Sequence, residues 1–78
     1  MVQGRLGYND SNDRYGLLVS DLWANEGFHC GEPLEVMING KWKKTTMEMD
    51  WSCGKGIWYL TGTNLMGTEL EYIRARIK

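Results

Sequence analysis

An Asn-Gly pair between two strand-like runs is the feature that most constrains the fold of this chain. The segment Leu34–Thr46 reads LEVMINGKWKKTT, with Asn39 and Gly40 between an alternating apolar run and a run that carries a tryptophan and three lysines. Both turn residues tolerate a positive φ angle, which a tight hairpin turn of the primed type requires. We therefore expect a β-hairpin at the centre of the chain.

Two registers are open to this hairpin. A two-residue loop pairs Ile38 with Lys41 and Val36 with Lys43, which puts lysines on the aliphatic side of the strands. A three-residue loop with Gly40 in a left-handed bulge pairs Ile38 with Trp42 instead. We favour the three-residue loop, which predicts that Trp42 lies in the core and that a strand end or a further bulge lies near Lys44. The residues that would then share the core face are Leu34, Val36, Ile38 and Trp42.

Short strands separated by turn residues account for most of the remaining chain. The first two form a hairpin around the turn-forming run 9–13, and the last, YIRARIK, alternates apolar and basic residues with a period of two. A single 3₁₀ or α turn is predicted over Gly67–Leu70. The strands are predicted over Gln3–Tyr8, Arg14–Ser20, the central hairpin to about Met49, Ile57–Gly62 and Tyr72–Lys78.

The segment Asp21–Pro33 fits neither the helical nor the strand period. Glycines at 27 and 31 and the single proline at 33 interrupt it. We interpret it as a long ordered loop, with room for one helical turn over Asp21–Asn25. A loop of this length in so small a domain is usually functional or is packed by its own side chains.

These patterns predict a single domain over residues 1–78. A hydrophobic content of 42% indicates a folded core, and regularly spaced short strands are typical of a sandwich or barrel. We predict an all-β fold: a small SH3-like or OB-like, partly open barrel of five to six short antiparallel strands, with at most one short helical turn. Closing such a small sheet protects its edges from pairing with other chains.

The lack of a recognisable membrane span or secretory signal predicts a cytoplasmic protein, which we expect to be a monomer. The net charge is −1, so any binding to nucleic acid needs a local basic patch. No run approaches the roughly 18 apolar residues of a membrane span, and the first residues do not resemble a secretory signal. Cys30 and Cys53 are expected to be reduced thiols, with a disulfide between them as the alternative.

The sequence predicts no enzyme, no metal site and no cofactor. His29, Cys30 and Cys53 could offer three ligands to zinc, but there is no C-x₂-C pair and no second histidine. We expect Cys30 to be a small buried hydrophobic residue and His29 to be a partly exposed loop residue. No acid/base pair of carboxylates is recognisable, and Gly54-Lys55-Gly56 reads as a turn.

Two surfaces are candidates for binding a partner. Trp23 and Phe28 lie in the irregular acidic segment and would form a protein or peptide contact if exposed, whereas in the alternative they fold back and plug the barrel. Basic residues interleaved with aromatics would bind nucleic acid, although outward cations on edge strands also simply prevent aggregation. We predict a non-enzymatic interaction module with a protein partner, and nucleic-acid binding as the alternative. The residues predicted for nucleic acid are Lys41, Lys43, Arg74, Arg76 and Lys78.

Seven short pieces form an ordered set along the chain: Gly4–Tyr8, Arg14–Leu17, Gly27–Glu32, Leu34–Val36, Asn39–Trp42, Trp58–Leu60 and Ile73–Ile77. Together they resemble a family of small uncharacterised proteins from Gram-positive bacteria, often encoded on integrative conjugative elements. The resemblance implies a bacterial cytoplasmic protein in a mobile-element context, and it implies no catalytic or binding residue.

Overall fold

Seven antiparallel strands and one 3₁₀ turn make up the computed structural model, which describes all 78 residues. The all-β class is confirmed, and the 3₁₀ turn at Gly67–Leu70 lies where the sequence predicts it. The SH3-like assignment within that class stays a prediction. The strands are β1 (Val2–Asn9), β2 (Arg14–Val19), β3 (Leu22–Asn25), β4 (Pro33–Ile38), β5 (Lys41–Asp50), β6 (Ile57–Leu60) and β7 (Arg74–Ile77).

The strands form one open sheet in the order β3-β2-β1-β7-β4-β5-β6. Hairpins account for β1–β2, β2–β3, β4–β5 and β5–β6, so each outer half of the sheet forms from local pairing. The last strand, β7, lies in the middle and joins the halves by pairing with β1 on one side and β4 on the other. The order of the central strands therefore depends on contacts between the two ends of the chain.

The central hairpin has the two-residue register, so the prediction of a three-residue loop is wrong. Met37 pairs with Trp42 and Ile38 pairs with Lys41. Asn39 (φ 52°) and Gly40 (φ 78°) both have positive φ, as a type I′ turn requires. Trp42 consequently lies on the face of the sheet opposite Val36 and Ile38, outside the core in which it was predicted.

The segment after β2 contains a strand where a loop with a helical turn was predicted. Ser20 (φ 52°) and Asp21 (φ 64°) form a second tight turn, and Leu22 pairs back with Val19. A register shift between Leu17 and Leu18 marks an irregularity in this pairing. The adjacent apolar residues and the Ser-Asp turn hide the period of two, which explains why β3 was missed.

The connection from β3 to β4 bridges the two halves of the sheet with backbone hydrogen bonds. Phe28 N–H donates to the carbonyl of Tyr15 in β2, at 2.8 Å. Gly31 N–H donates to the carbonyl of Met47 in β5, at 2.8 Å, and Met47 N–H donates to Glu32 O at 3.1 Å. The open sheet is thereby held curled around one core by a segment that is itself not a strand.

The core lies on the inner face and draws on every strand except β3. Alternate residues of β1 and β2 meet there, with Leu6 paired to Leu17, and Met47 of β5 pairs with Leu60 of β6. The Trp58 side chain packs at the border of the core, and its indole Nε1 donates to the carbonyl of Asp13 at 2.9 Å. The buried apolar residues are Leu6, Tyr15, Leu17, Phe28, Leu34, Val36, Met47, Trp58, Leu60, Leu70 and Ala75.

The hairpin turn yields a first prediction. Gly40→Ala should destabilise the protein by about 1 kcal/mol, because a left-handed conformation penalises any residue that has a Cβ. No other atom lies near that position, so the cost is conformational and not steric. Gly40→Asn should fall between the wild type and Gly40→Ala, since Asn tolerates this conformation. Urea denaturation monitored by tryptophan fluorescence measures the free energy of unfolding.

Lys41→Ala is the matched control, because Lys41 is exposed, neighbours the turn and lies in β5. This substitution should change the free energy of unfolding by no more than about 0.5 kcal/mol. If Gly40→Ala proves as stable as Lys41→Ala, the two-residue turn is wrong.

Candidate functional site

The outer face of the central strands gathers most of the basic side chains. Paired residues share a face, so Arg5 of β1 lies beside Arg74 of β7, and Glu35 of β4 lies between Arg76 of β7 and Lys44 of β5. Trp42 lies on the same side of β5 as Lys44. We call this surface the cationic face and define it by Arg5, Trp42, Lys44, Arg74, Arg76 and Lys78, together with Glu35.

Two arginines lie over the Trp42 ring. The guanidinium carbon of Arg76 is 4.2 Å from the ring centre, and that of Arg74 is 5.9 Å away. The ring is half-buried beneath them. A guanidinium over an indole is an attractive cation–π arrangement, and it holds the planar donor group in place. Trp42 thus organises the cations on the outer face.

Glu35 forms an ion pair with Arg76, in which Arg76 Nε donates to Glu35 Oε1 at 2.8 Å. The hydrogen bond from Arg76 has the largest effect on the pKa of Glu35 and lowers it. Burial opposes this shift, and the charges of Arg76, Lys44 and Lys78 lower the pKa further. The carboxylate therefore stays charged and fixes the direction of one guanidinium. Lys44 and Lys78 themselves form no ion pair.

Arg5 is fixed at the other side of the face by a backbone contact. Its Nη1 donates to the carbonyl of Tyr72 at 3.0 Å. Tyr72 has a positive φ of 65° and is 66% exposed, so the cationic face has an accessible aromatic residue beside it. Sequence reasoning missed Arg5, since only the pairing of β1 with β7, which is distant in sequence, brings it beside Arg74.

The residues predicted for nucleic acid separate into two groups. Arg74 and Arg76 lie on the cationic face, and Lys78 follows directly after β7. Lys41 and Lys43 are exposed but project from the other side of β5, because strand residues alternate and Trp42 lies between them. Lys44, predicted to fall on the apolar side, belongs to the cationic face through its pairing with Glu35.

The predicted partner-binding residues are less accessible than a contact surface needs. Phe28 is 1% exposed and packs in the core, which is the fold-back alternative. Trp23 is half-buried, and its ring lies over Gly7 and Gly16, where an added Cβ would come within 3.5 Å and 3.0 Å of it. Both side chains therefore help to fill the fold.

The acidic residues are largely absent from the cationic face. The chain has ten Asp and Glu residues, yet Glu35 is the acid that projects outward from β1, β7, β4 and the first half of β5. Others lie in turns, such as Asp10 and Asp13 between β1 and β2. A chain with a net charge of −1 thus carries a locally positive surface.

The two cysteines and His29 lie outside the strands, with His29 and Cys30 between β3 and β4 and Cys53 between β5 and β6. Cys30 and Cys53 are free and exposed, so the expectation that Cys30 is buried is wrong. The turns that carry these residues keep them out of the core. No group of three or more His, Cys, Asp or Glu side chains is arranged to hold a metal ion.

Comparison with known proteins gives a family and no activity. A protein-family model described as "Domain of unknown function (DUF5348)" matches residues 4–77. The chain belongs to this family. That description names no ligand, reaction or partner for the DUF5348 domain. No curated protein and no solved structure matches the chain. None of the chain's helical segments has the length and hydropathy to span a membrane.

The Glu35–Arg76 pair yields a prediction about pH. Because folding lowers the pKa of Glu35, the unfolded chain binds more protons between the ordinary glutamate pKa and the lower folded-state pKa. The stability from this pair is therefore present above the ordinary pKa and is lost as pH falls through the folded-state pKa. Glu35→Gln should flatten this part of the stability–pH profile, measured by urea denaturation at a series of acidic pH values.

Glu48→Gln is the matched control, since Glu48 is a half-buried β5 carboxylate without a salt bridge. An unchanged profile in Glu35→Gln, or an equal change in Glu48→Gln, would contradict the assignment.

Proposed function

We propose that this domain is a non-enzymatic binding module whose cationic face holds the phosphate backbone of a nucleic acid. The observation that carries the proposal is the pair of arginines arranged over Trp42. Guanidinium groups match phosphate oxygens in geometry, and aromatic rings and guanidinium planes both stack with bases. Phosphates would bind to Arg5, Lys44, Arg74, Arg76 and Lys78.

The spacing of the cations supports contact with a chain of charges. Arg74, Arg76 and Lys78 alternate along one strand direction, so successive members lie about 7 Å apart. Arg5 and Lys44 flank this row from neighbouring strands. A row of cations with flanking partners favours an extended polyanion over a single small anion.

The expected affinity is modest and depends on salt. Five cations, one of them shared with Glu35, would release counterions from four or five phosphates. For a single strand this gives a slope of log K against log salt of about −3. Binding should therefore be measurable at low ionic strength and weak near physiological salt.

A protein partner is the second candidate, and the observation that favours it is an exposed aromatic residue in the turn after β5. Trp51 is 66% exposed, unlike Trp23 and Phe28. Exposed large aromatics mark many protein interfaces. A cytoplasmic location in a Gram-positive bacterium and service to a mobile element complete the proposal, and these rest on the family resemblance alone.

Charge removal on the cationic face tests the nucleic-acid proposal. Arg74→Gln and Lys44→Gln should each weaken binding to a fluorescein-labelled oligonucleotide of mixed sequence several-fold at low salt. Each should also reduce the salt slope by about one unit or less, because each removes one phosphate contact. Fluorescence anisotropy titrations at several salt concentrations measure both quantities.

Lys55→Gln is the matched control. Lys55 is equally exposed but lies in the turn after β5, at the other end of that ten-residue strand from Trp42. The affinity of Lys55→Gln for the oligonucleotide and its salt slope should equal those of the wild type. Absence of any binding at about 0.1 mM protein in low salt, or an equal loss in Lys55→Gln, would overturn the proposal.

A further inference from the structure

A groove opens beside the cationic face where β4 and β7 stop pairing. These strands share two pairs, Val36 with Ala75 and Glu35 with Arg76, and their next residues no longer pair. Pro33 at the start of β4 has no N–H to continue the ladder. The resulting cavity of about 700 Å³ lies within the range of roughly 300–1,000 Å³ that is typical of small-molecule sites.

The groove has an apolar floor. Leu34 and Ile77 line it from the two separated strands, and Phe28 and Pro33 line it from the connection that closes the sheet. Phe28 and Leu34 belong to the core and are almost wholly buried, so Pro33 and Ile77 form the accessible part of the floor. Such a floor suits a flat apolar group better than a charged one.

Cations line the rim of the same groove. Lys44, Arg76 and Lys78 all contribute to its lining, and all three belong to the cationic face. The acids of the groove are already engaged, since Glu35 accepts from Arg76 and Glu32 accepts from the His29 N–H at 2.7 Å. Lys44 and Lys78 make no ion pair. The groove thus offers an apolar floor below free positive charge.

We infer that the groove takes an unpaired base of a single-stranded nucleic acid whose phosphates lie on the cationic face. This inference rests on the proposed function and specifies its ligand. A nucleotide unit combines a flat ring with an anionic linker, and the groove and its rim match these two parts. A base inside a duplex is stacked and paired, so it cannot enter without an energetic cost. The protein therefore selects single strands over duplexes.

Equilibrium titration with matched oligonucleotides tests the preference. Single-stranded DNA and RNA of one mixed sequence and the corresponding duplexes are titrated by anisotropy at one low salt concentration. At least one single strand should bind about tenfold more tightly than its duplex, because one base contact is worth that much in single-strand binders. The DNA and RNA arms show which sugar is preferred.

Methyl NMR tests the placement of the base. Addition of the preferred single strand should shift the methyl signals of Leu34 and Ile77 through the ring current of the bound base. The Ile57 methyls in β6, which do not line the groove, should not shift. An abasic oligonucleotide, which has the phosphates without the bases, should bind the cationic face and leave the methyls of Leu34 and Ile77 unshifted.

The outcomes separate the two proposals. Equal binding of single strands and duplexes, or unshifted Leu34 and Ile77 methyls at saturation, overturns the groove inference and leaves the backbone-binding proposal standing. Equal shifts with the abasic strand also overturn it, because the base is then not the cause. Absence of binding by every oligonucleotide overturns both proposals.

Discussion

Three backbone hydrogen bonds in the connection between β3 and β4 hold the whole sheet in its curled form. On one half of the sheet, the Phe28 N–H donates to the Tyr15 carbonyl. On the other half, the Gly31 N–H donates to the Met47 carbonyl, and the Met47 N–H donates to the Glu32 carbonyl. The same connection inserts the Phe28 side chain into the core between the halves. Each half consists of hairpins whose strands are neighbours in the sequence, but an isolated hairpin is only marginally stable in water. The connection makes one shared core out of two local units.

The second joint between the halves is β7, and its brevity creates the candidate site. β7 pairs with β1 and β4, so it makes their outer faces continuous and brings Arg5, Arg74 and Trp42 onto one surface. Its pairing with β4 ends after two residue pairs, which opens the groove. The cationic face and the groove therefore have one structural origin. A longer ladder would add stability but would seal the apolar floor behind backbone hydrogen bonds.

Local patterns in the sequence were enough to predict most elements. The first hairpin, the alternation Ile73, Ala75, Ile77 and the 3₁₀ turn at Gly67–Leu70 each depend on residues close in the chain, and the structure has them where expected. What could not be predicted depends on distant residues. Nothing near Arg5 indicates that it will lie beside Arg74, and nothing near Phe28 indicates that its backbone will reach Tyr15. Arg74 and Arg76 could be named as candidates, whereas their position over Trp42 could not.

The wrong register of the central hairpin has a physical explanation that also accounts for the site. The prediction moved Trp42 to the core because the alternative placed Lys41 and Lys43 on the aliphatic side. In the structure those lysines lie at the end of the hairpin, and their long apolar stems carry the ammonium groups to solvent while Val36 beside Lys43 stays buried. The Lys43 stem passes beside Gly62, where no side chain obstructs it. Because lysine can cover an apolar surface in this way, the type I′ turn keeps its preferred geometry.

Trp42 is then placed on the outer face, and the arginines of β7 pack against its ring there. The turn geometry of Asn39-Gly40 thus determines where the cations gather.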